Sequence, residues 1–337
     1  MPQRSVLVDG LKVLASQLIV LHHIVLYAPM ARQAMPSWPR LDAFLLDEAR
    51  WVVQIFLAIG GWLAALSLSR RVPTLPRALW QRWLRLVPML AVALLAVLAA
   101  SALLPPDRWP DWVTPWPTAG QFIAQLLLLQ DVLGVPSLSA GAWYVAIDFQ
   151  LHALLALLAV LLLRDGGRPA WHTALPWAVA AMTLASVLWF NRDARLEAWA
   201  PYFFGAYGLG VLAAWAPRSR TMAALFVAAC ATALAAAVLD GRPRLAVAGL
   251  TAAALLALGS RGTLHGRGGR WLAYWSDASY GVFVIHYAVI VAATALWLRL
   301  QPCSVSAAWT MLLLTWASSL AAGAALQHWV GRRVSAR

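Results

Sequence analysis

The sequence predicts an all-α integral membrane protein: a polytopic helix bundle of about ten transmembrane helices, with N- and C-termini in the cytoplasm. Three observations carry that prediction. The 337 residues are 62% hydrophobic and only 12% charged, with a mean hydropathy of +0.70, a balance foreign to soluble domains of this length. Apolar stretches long enough to cross a bilayer recur from end to end. Basic residues alternate with them. Seventeen of the 26 Lys and Arg fall on one side of the layout, with three of the 13 acids. The positive-inside rule counts only the basic residues and makes that side cytoplasmic.

The stretches are placed at about 6–28, 51–69, 82–104, 142–163, 170–190, 200–216, 221–239, 244–260, 278–298 and 307–330. The first holds Lys12 within a long apolar run and lacks a small-x-small cleavage site, so it reads as a helix and not as a signal peptide. Ile59-Gly60-Gly61-Trp62 interrupts the second, and Arg82-Trp83-Leu84-Arg85-Leu86-Val87-Pro88 opens the third. Trp109, Trp112 and Trp116 follow among Pro105, Pro106, Pro110, Pro115 and Pro117, which reads as a rigid outer loop at the headgroup level. It is an interfacial anchor or an aromatic platform for a sugar.

Residues 121–134 are apolar but too short to cross, and are expected to form an interfacial or re-entrant helix on the outer side. Counting them as a span would put the basic 261–270 segment outside. The fourth stretch opens on Trp143 to Asp148, the fifth to eighth are apolar runs between short loops, and Ser279 to His286 lies in the ninth. The tenth is followed by Arg332, Arg333 and Arg337, with no appended soluble domain expected. Cys230 in a span and Cys303 in an outer loop are not expected to pair.

The sequence pI of about 11.1 thus reports topology and contact with anionic lipid. No basic run interleaved with aromatics suggests a nucleic-acid groove.

Ionisable groups inside hydrocarbon cost several kcal/mol and are functional candidates by default. Lys12 and His23 stand eleven helical steps apart, roughly 20° from a common face and about 16 Å along the axis. Asp9 lies one turn before Lys12. An inert polar pair solvated by neighbouring helices is the other reading of this segment. Arg82 and Arg85 share one helix face at i and i+3, near Arg70, Arg71 and Arg77. Guanidinium groups bind phosphate in a bidentate fashion, although positive-inside anchoring would use the same residues. Gly60 and Gly61 permit either close helix approach or passage of a ligand chain. Asp148 and His152, at i and i+4, are either a structural pair or an acceptor-binding carboxylate with its neighbour. His286 is either a site residue or a packing histidine. No metal-ligand cluster of credible spacing is present.

Taken in order, these segments resemble the acyltransferase-3 family of integral membrane acyltransferases. That family opens with Asp-x-Leu-Arg and a His ten intervening residues after the Arg; here stand Asp9, Lys12 and His23. It continues with Phe-Phe-x-x-Ser-Gly-Phe, matched by Phe56-Leu57-Ala58-Ile59-Gly60-Gly61-Trp62, and Arg-x-x-Arg-x-x-Pro, intact from Arg82 to Pro88. Trp-Ser-Leu-x-x-Glu corresponds to Trp143 through Asp148. Ser-Tyr-x-x-Tyr-x-x-His corresponds to Ser279, Tyr280, Phe283 and His286. Lys12 keeps the family's charge and loses the planar fork. The spacing also selects His23 over His22.

The resemblance implies a single acyltransferase-3-like domain over 1–337, in its stand-alone form. It implies transfer of an acyl group, commonly acetyl from acetyl-CoA, to a hydroxyl of an extracytoplasmic polysaccharide or glycolipid at the bacterial inner membrane. On this reading Arg82 and Arg85 hold the donor's phosphates and the pantetheine arm passes Gly60 and Gly61. His23 acts as general base or carries the acyl group, with Asp9 and Lys12 orienting the donor. Asp148 and His152 face the acceptor, and Ser279, Tyr280 and His286 support the site. No tightly bound cofactor is expected, acetyl-CoA or another acyl-CoA being a co-substrate. Expected partners are membrane lipid, the glycan acceptor and a polysaccharide assembly complex, with no nucleic acid. Two other classes stay open: a transporter or flippase of a glycan or lipid-linked precursor, and a non-catalytic partner of an assembly complex.

Overall fold

The computed structural model describes residues 4–68, 74–162, 174–259, 262 and 266–335. Arg70, Arg71, Arg164, Asp165, Arg168, Arg261 and Arg337, used in the charge argument, lie outside the described residues.

Among the described residues there is no strand, and the long helices follow the expected order. They are α1 (Val6–Tyr27), α2 (Val53–Leu68), α3 (Leu75–Ser101), α4 (Ala142–Leu162), α5 (Ala174–Leu188), α6 (Ala200–Trp215), α7 (Arg220–Leu239), α8 (Pro243–Leu258), α9 (Gly266–Leu300) and α10 (Val305–Leu326). Among the described residues, eight helical stretches are long and apolar enough to cross a membrane. They comprise α1, α3, α4, α7 and α9, together with Pro39–Leu68, Ala174–Arg192 and Val305–Gly331, which contain α2, α5 and α10. α6 and α8, of 16 residues each, occupy the remaining two places.

Three boundaries differ from the hydropathy reading. α3 begins at Leu75, not near 82: Pro76 sits in the first turn, where its missing N–H costs nothing, and the Leu, Ala, Gln and Arg that follow favour a helix regardless of polarity. α9 likewise begins at Gly266, ahead of its apolar part. The connection after α1 is itself largely helical, through Ala31–Ala34, Pro39–Ala43 and a π turn at Phe44–Glu48.

The apolar segment after the Trp/Pro loop forms only a short helix. A capping box between Thr118 and Gln121 starts the helix Ala119–Leu126. Leu128 at φ 60° and Gly134 at φ 65° prevent its continuation. Eight residues rise only roughly 12 Å, too little for a crossing.

The chain divides into two compact units. The first comprises Met1–Lys12, Trp51–Trp83 and Ile147–Leu272; the second comprises Val13–Arg50, Leu84–Ala146 and Ala273–Arg337. Four of the five dividing points fall inside α1, α3, α4 and α9, and the fifth lies between Arg50 and Trp51, just before α2.

In the first unit α6 is buried along almost its whole length. Lipid tails are as apolar as leucine, so helices there associate by close packing and not by escape from water. Glycines supply the closeness. A Cβ on Gly61 of α2 would overlap the Tyr207 carbonyl of α6, and one on Gly210 of α6 would overlap the Ala58 carbonyl of α2. In the second unit Val20 and Ile24 of α1 pack with Val282, Ile290 and Trp297 of α9 and with Ala308 and Leu312 of α10. Gly281 and Gly323 give α9 and α10 the same close approach. Trp316 Nε1 donates to Gln17 Oε1 at 2.9 Å, fixing α10 against α1.

Candidate functional site

Each unit holds its own group of buried polar residues. In the first, Arg4 grips Asp9 through two contacts, Nε to Oδ2 at 3.0 Å and Nη2 to Oδ1 at 3.3 Å. Lys12 is half-buried one turn further along α1. The main charged feature is an ion pair between α3 and α4, in which Arg82 Nη2 donates to both carboxylate oxygens of Asp148 at 2.5 Å. The side chains retain only 19% and 8% of their exposure. Removing two such charges from water costs several kcal/mol each, which only close mutual pairing repays. Tyr207 of α6 lies alongside. It is 1% exposed, and its hydroxyl has no hydrogen-bond partner among the described residues.

Two expected site features take a definite geometry. The α6 backbone fills the space beside Gly61. Gly60 differs: a Cβ there would meet Tyr207 Cε2 at 3.5 Å and Asp148 Oδ1 at 3.7 Å, ordinary contact distances. Arg82 and Asp148, expected on the donor and acceptor sides, meet in one ion pair. α3 starts early enough to carry Arg82 two turns into the helix, where Asp148, almost two turns into α4, can reach it.

The second unit contains the histidines. His22 and His23 are 6% and 7% exposed and His286 is fully buried. His22 Nδ1 meets the Leu45 carbonyl at 2.7 Å, tying α1 to the π turn. His23 Nδ1 lies 2.8 Å from His286 Nε2. The two rings are 3° from parallel with centroids 4.9 Å apart. That separation is close to the N···N distance plus the two centroid-to-nitrogen distances, so the imidazoles meet edge to edge and not face to face. His286 Nδ1 in turn contacts the Phe283 carbonyl at 2.6 Å.

The supporting residues are placed as follows. Tyr280 donates its hydroxyl to the Leu86 carbonyl at 2.8 Å, linking α9 to α3. Ser279 donates to the Ser276 carbonyl of its own helix. The Phe283 ring packs on Gly141 and on Tyr144 at 5.3 Å between centroids. Arg85 is exposed on α3, and His152 is half-buried on α4.

Three aromatic residues that the motifs did not single out as a group cluster beside His23, joined to it through Tyr27. Tyr27, one turn beyond it on α1, lies 5.6 Å from the His23 ring. Trp112, from the Trp/Pro loop after α3, is 5.1 Å from Tyr27. Tyr287 meets Tyr27 and Trp112 edge-on at 5.5 and 5.7 Å and donates its hydroxyl to the Trp112 carbonyl at 2.7 Å. The i, i+4 relation of His23 and Tyr27, and the adjacency of His286 and Tyr287, were the available signals.

A buried imidazole pair in an apolar helical protein is equipped for proton transfer or nucleophilic attack, and the helices make this a multi-pass membrane protein. The class is settled by comparison. A family model described as an acyltransferase domain, that of the acyltransferase-3 family, matches residues 6–326. The chain belongs to that family and is a membrane acyltransferase. No curated protein and no solved structure matches it significantly.

Proposed function

We propose that the protein transfers an acetyl group from cytoplasmic acetyl-CoA to a hydroxyl of an extracytoplasmic polysaccharide or glycolipid. We place it in the bacterial inner membrane, with ten crossings, both termini inside and a polysaccharide assembly complex as its partner. The observation that carries the reading is His23, an imidazole buried at the end of α1 and hydrogen-bonded through one nitrogen to a second histidine. The other nitrogen, Nε2, is the atom for chemistry. It accepts the acceptor's hydroxyl proton as that oxygen attacks the thioester carbonyl, and the proton then passes to the departing thiolate.

Arg85, exposed on α3, is the arginine for the donor's phosphates. Arg82 holds Asp148, pairing α3 with α4. The rings of Tyr27, Trp112 and Tyr287 support a sugar acceptor, since aromatic faces suit the C–H surface of a pyranose while hydroxyl and indole groups supply orientation.

The test is mass spectrometry of surface glycans from a deletion strain. The expected result is glycan of normal abundance lacking its acyl groups, restored by the wild-type chain. Loss of the whole glycan from the surface would contradict the proposal and support a transporter instead.

A further inference from the structure

We propose that His286 is a positioning residue that determines which nitrogen of His23 is the base. The proposal rests on His23 being the base of acyl transfer. The Phe283 carbonyl oxygen carries no proton, so its 2.6 Å contact with His286 Nδ1 is a hydrogen bond that Nδ1–H donates. In the neutral ring Nε2 then carries the lone pair and can only accept. Its partner at 2.8 Å is His23 Nδ1, which must hold a proton and donate it. Neutral His23 is left with its lone pair on Nε2. Each assignment forces the next, from a helix carbonyl to the base.

Which ring nitrogen of a histidine holds the proton is set by the hydrogen bonds around it, and a free imidazole side chain favours the opposite form, with the proton on Nε2. Without His286, His23 would present N–H where a lone pair is needed. The near-coplanar rings direct the His23 N–H along the His286 lone pair. His286 is fully buried, and the residue supplying the carbonyl is pinned in turn by Gly141 and Tyr144. Ring flips are thereby opposed on both sides.

The chemical step closes with this arrangement. The hydroxyl oxygen bonds to the acyl carbon while its proton moves to His23 Nε2. The carbon–sulfur bond breaks with its electron pair on sulfur, and the proton passes from Nε2 to the thiolate. Products are the ester and the free thiol, and both histidines regain their starting tautomers. During the step the His23 imidazolium donates Nδ1–H to His286 as a charge-assisted bond, the role a carboxylate fills in a Ser-His-Asp triad.

The experiment is nitrogen NMR of the full chain in detergent, with ring-15N histidine and assignment by single replacement. The wild type should show His23 protonated at Nδ1, and His286→Phe should move that proton to Nε2. In membranes supplied with acetyl-CoA, His286→Phe should lower the rate of thiol release on the order of a hundredfold. His286→Gln, whose amide oxygen accepts from Nδ1–H, should recover most of it. A wild-type His23 protonated at Nε2 would overturn the proposal, as would a His286→Phe protein with unchanged tautomer and turnover. The underlying reading fails separately: a fully active His23→Ala protein would remove the base whatever the spectra show.

Discussion

His23 and His286 are 263 residues apart in sequence and 2.8 Å apart in space, joined nitrogen to nitrogen. His22, the immediate neighbour of His23, points instead to the Leu45 carbonyl. One helix turn thus presents two imidazoles with different partners: His22 fastens a connection, and His23, the base of the proposed reaction, meets a second histidine.

His22→Ala should cost about 1 kcal/mol of stability, the usual net worth of one hydrogen bond, and leave transfer largely intact. Thermal unfolding in detergent, measured beside acyl transfer in membranes, checks this. An inactive variant of unchanged stability would show that the two histidines share the chemistry.

Gly60 and Gly61 should respond oppositely to alanine. At Gly61 the added methyl group meets the α6 backbone, which cannot yield, so folding should fail or the melting temperature should drop steeply. At Gly60 the nearest atoms are 3.5 Å away or more, and the variant should fold normally. Abundance in membranes and melting temperature separate the two.

Asp148→Asn should strip the Arg82 guanidinium of its counter-charge and cost about 3–5 kcal/mol. Replacing both partners, Arg82→Met with Asp148→Leu, should cost much less. Arg85→Lys should instead fold normally and bind acetyl-CoA roughly tenfold more weakly, because the ammonium lacks the planar fork. Detergent melting curves and a donor titration report on the two arginines separately. Wild-type donor affinity in Arg85→Lys would reduce that residue to a topological anchor.

Reporter fusions after Gly269 test the orientation. The account expects cytoplasmic activity there, in keeping with Arg267 and Arg270. Strong periplasmic activity would overturn the ten-crossing arrangement.

The hydropathy runs made every long helix legible, because a bilayer imposes length and apolarity directly on sequence. The early start of α3 was not, since Leu75 to Arg85 is helical without being apolar throughout. The candidate residues His23, Arg82, Asp148 and His286 stood out individually as costly groups in apolar surroundings. Their partners did not. Which buried charge meets which depends on helix arrangement, so Asp148 was set beside His152, its neighbour in sequence, while the ion pair it forms is with Arg82 on α3. Gly61 illustrates the same gap: a glycine in a span signals closeness, but only the fold says whether a ligand or a backbone comes close.

The most direct test of the central claim is transfer of labelled acetyl from acetyl-CoA to the glycan of membranes carrying His23→Ala at wild-type abundance. General-base catalysis contributes about 10²–10⁴ in rate, so the account predicts a loss of at least a hundredfold. Transfer at the wild-type rate would contradict it.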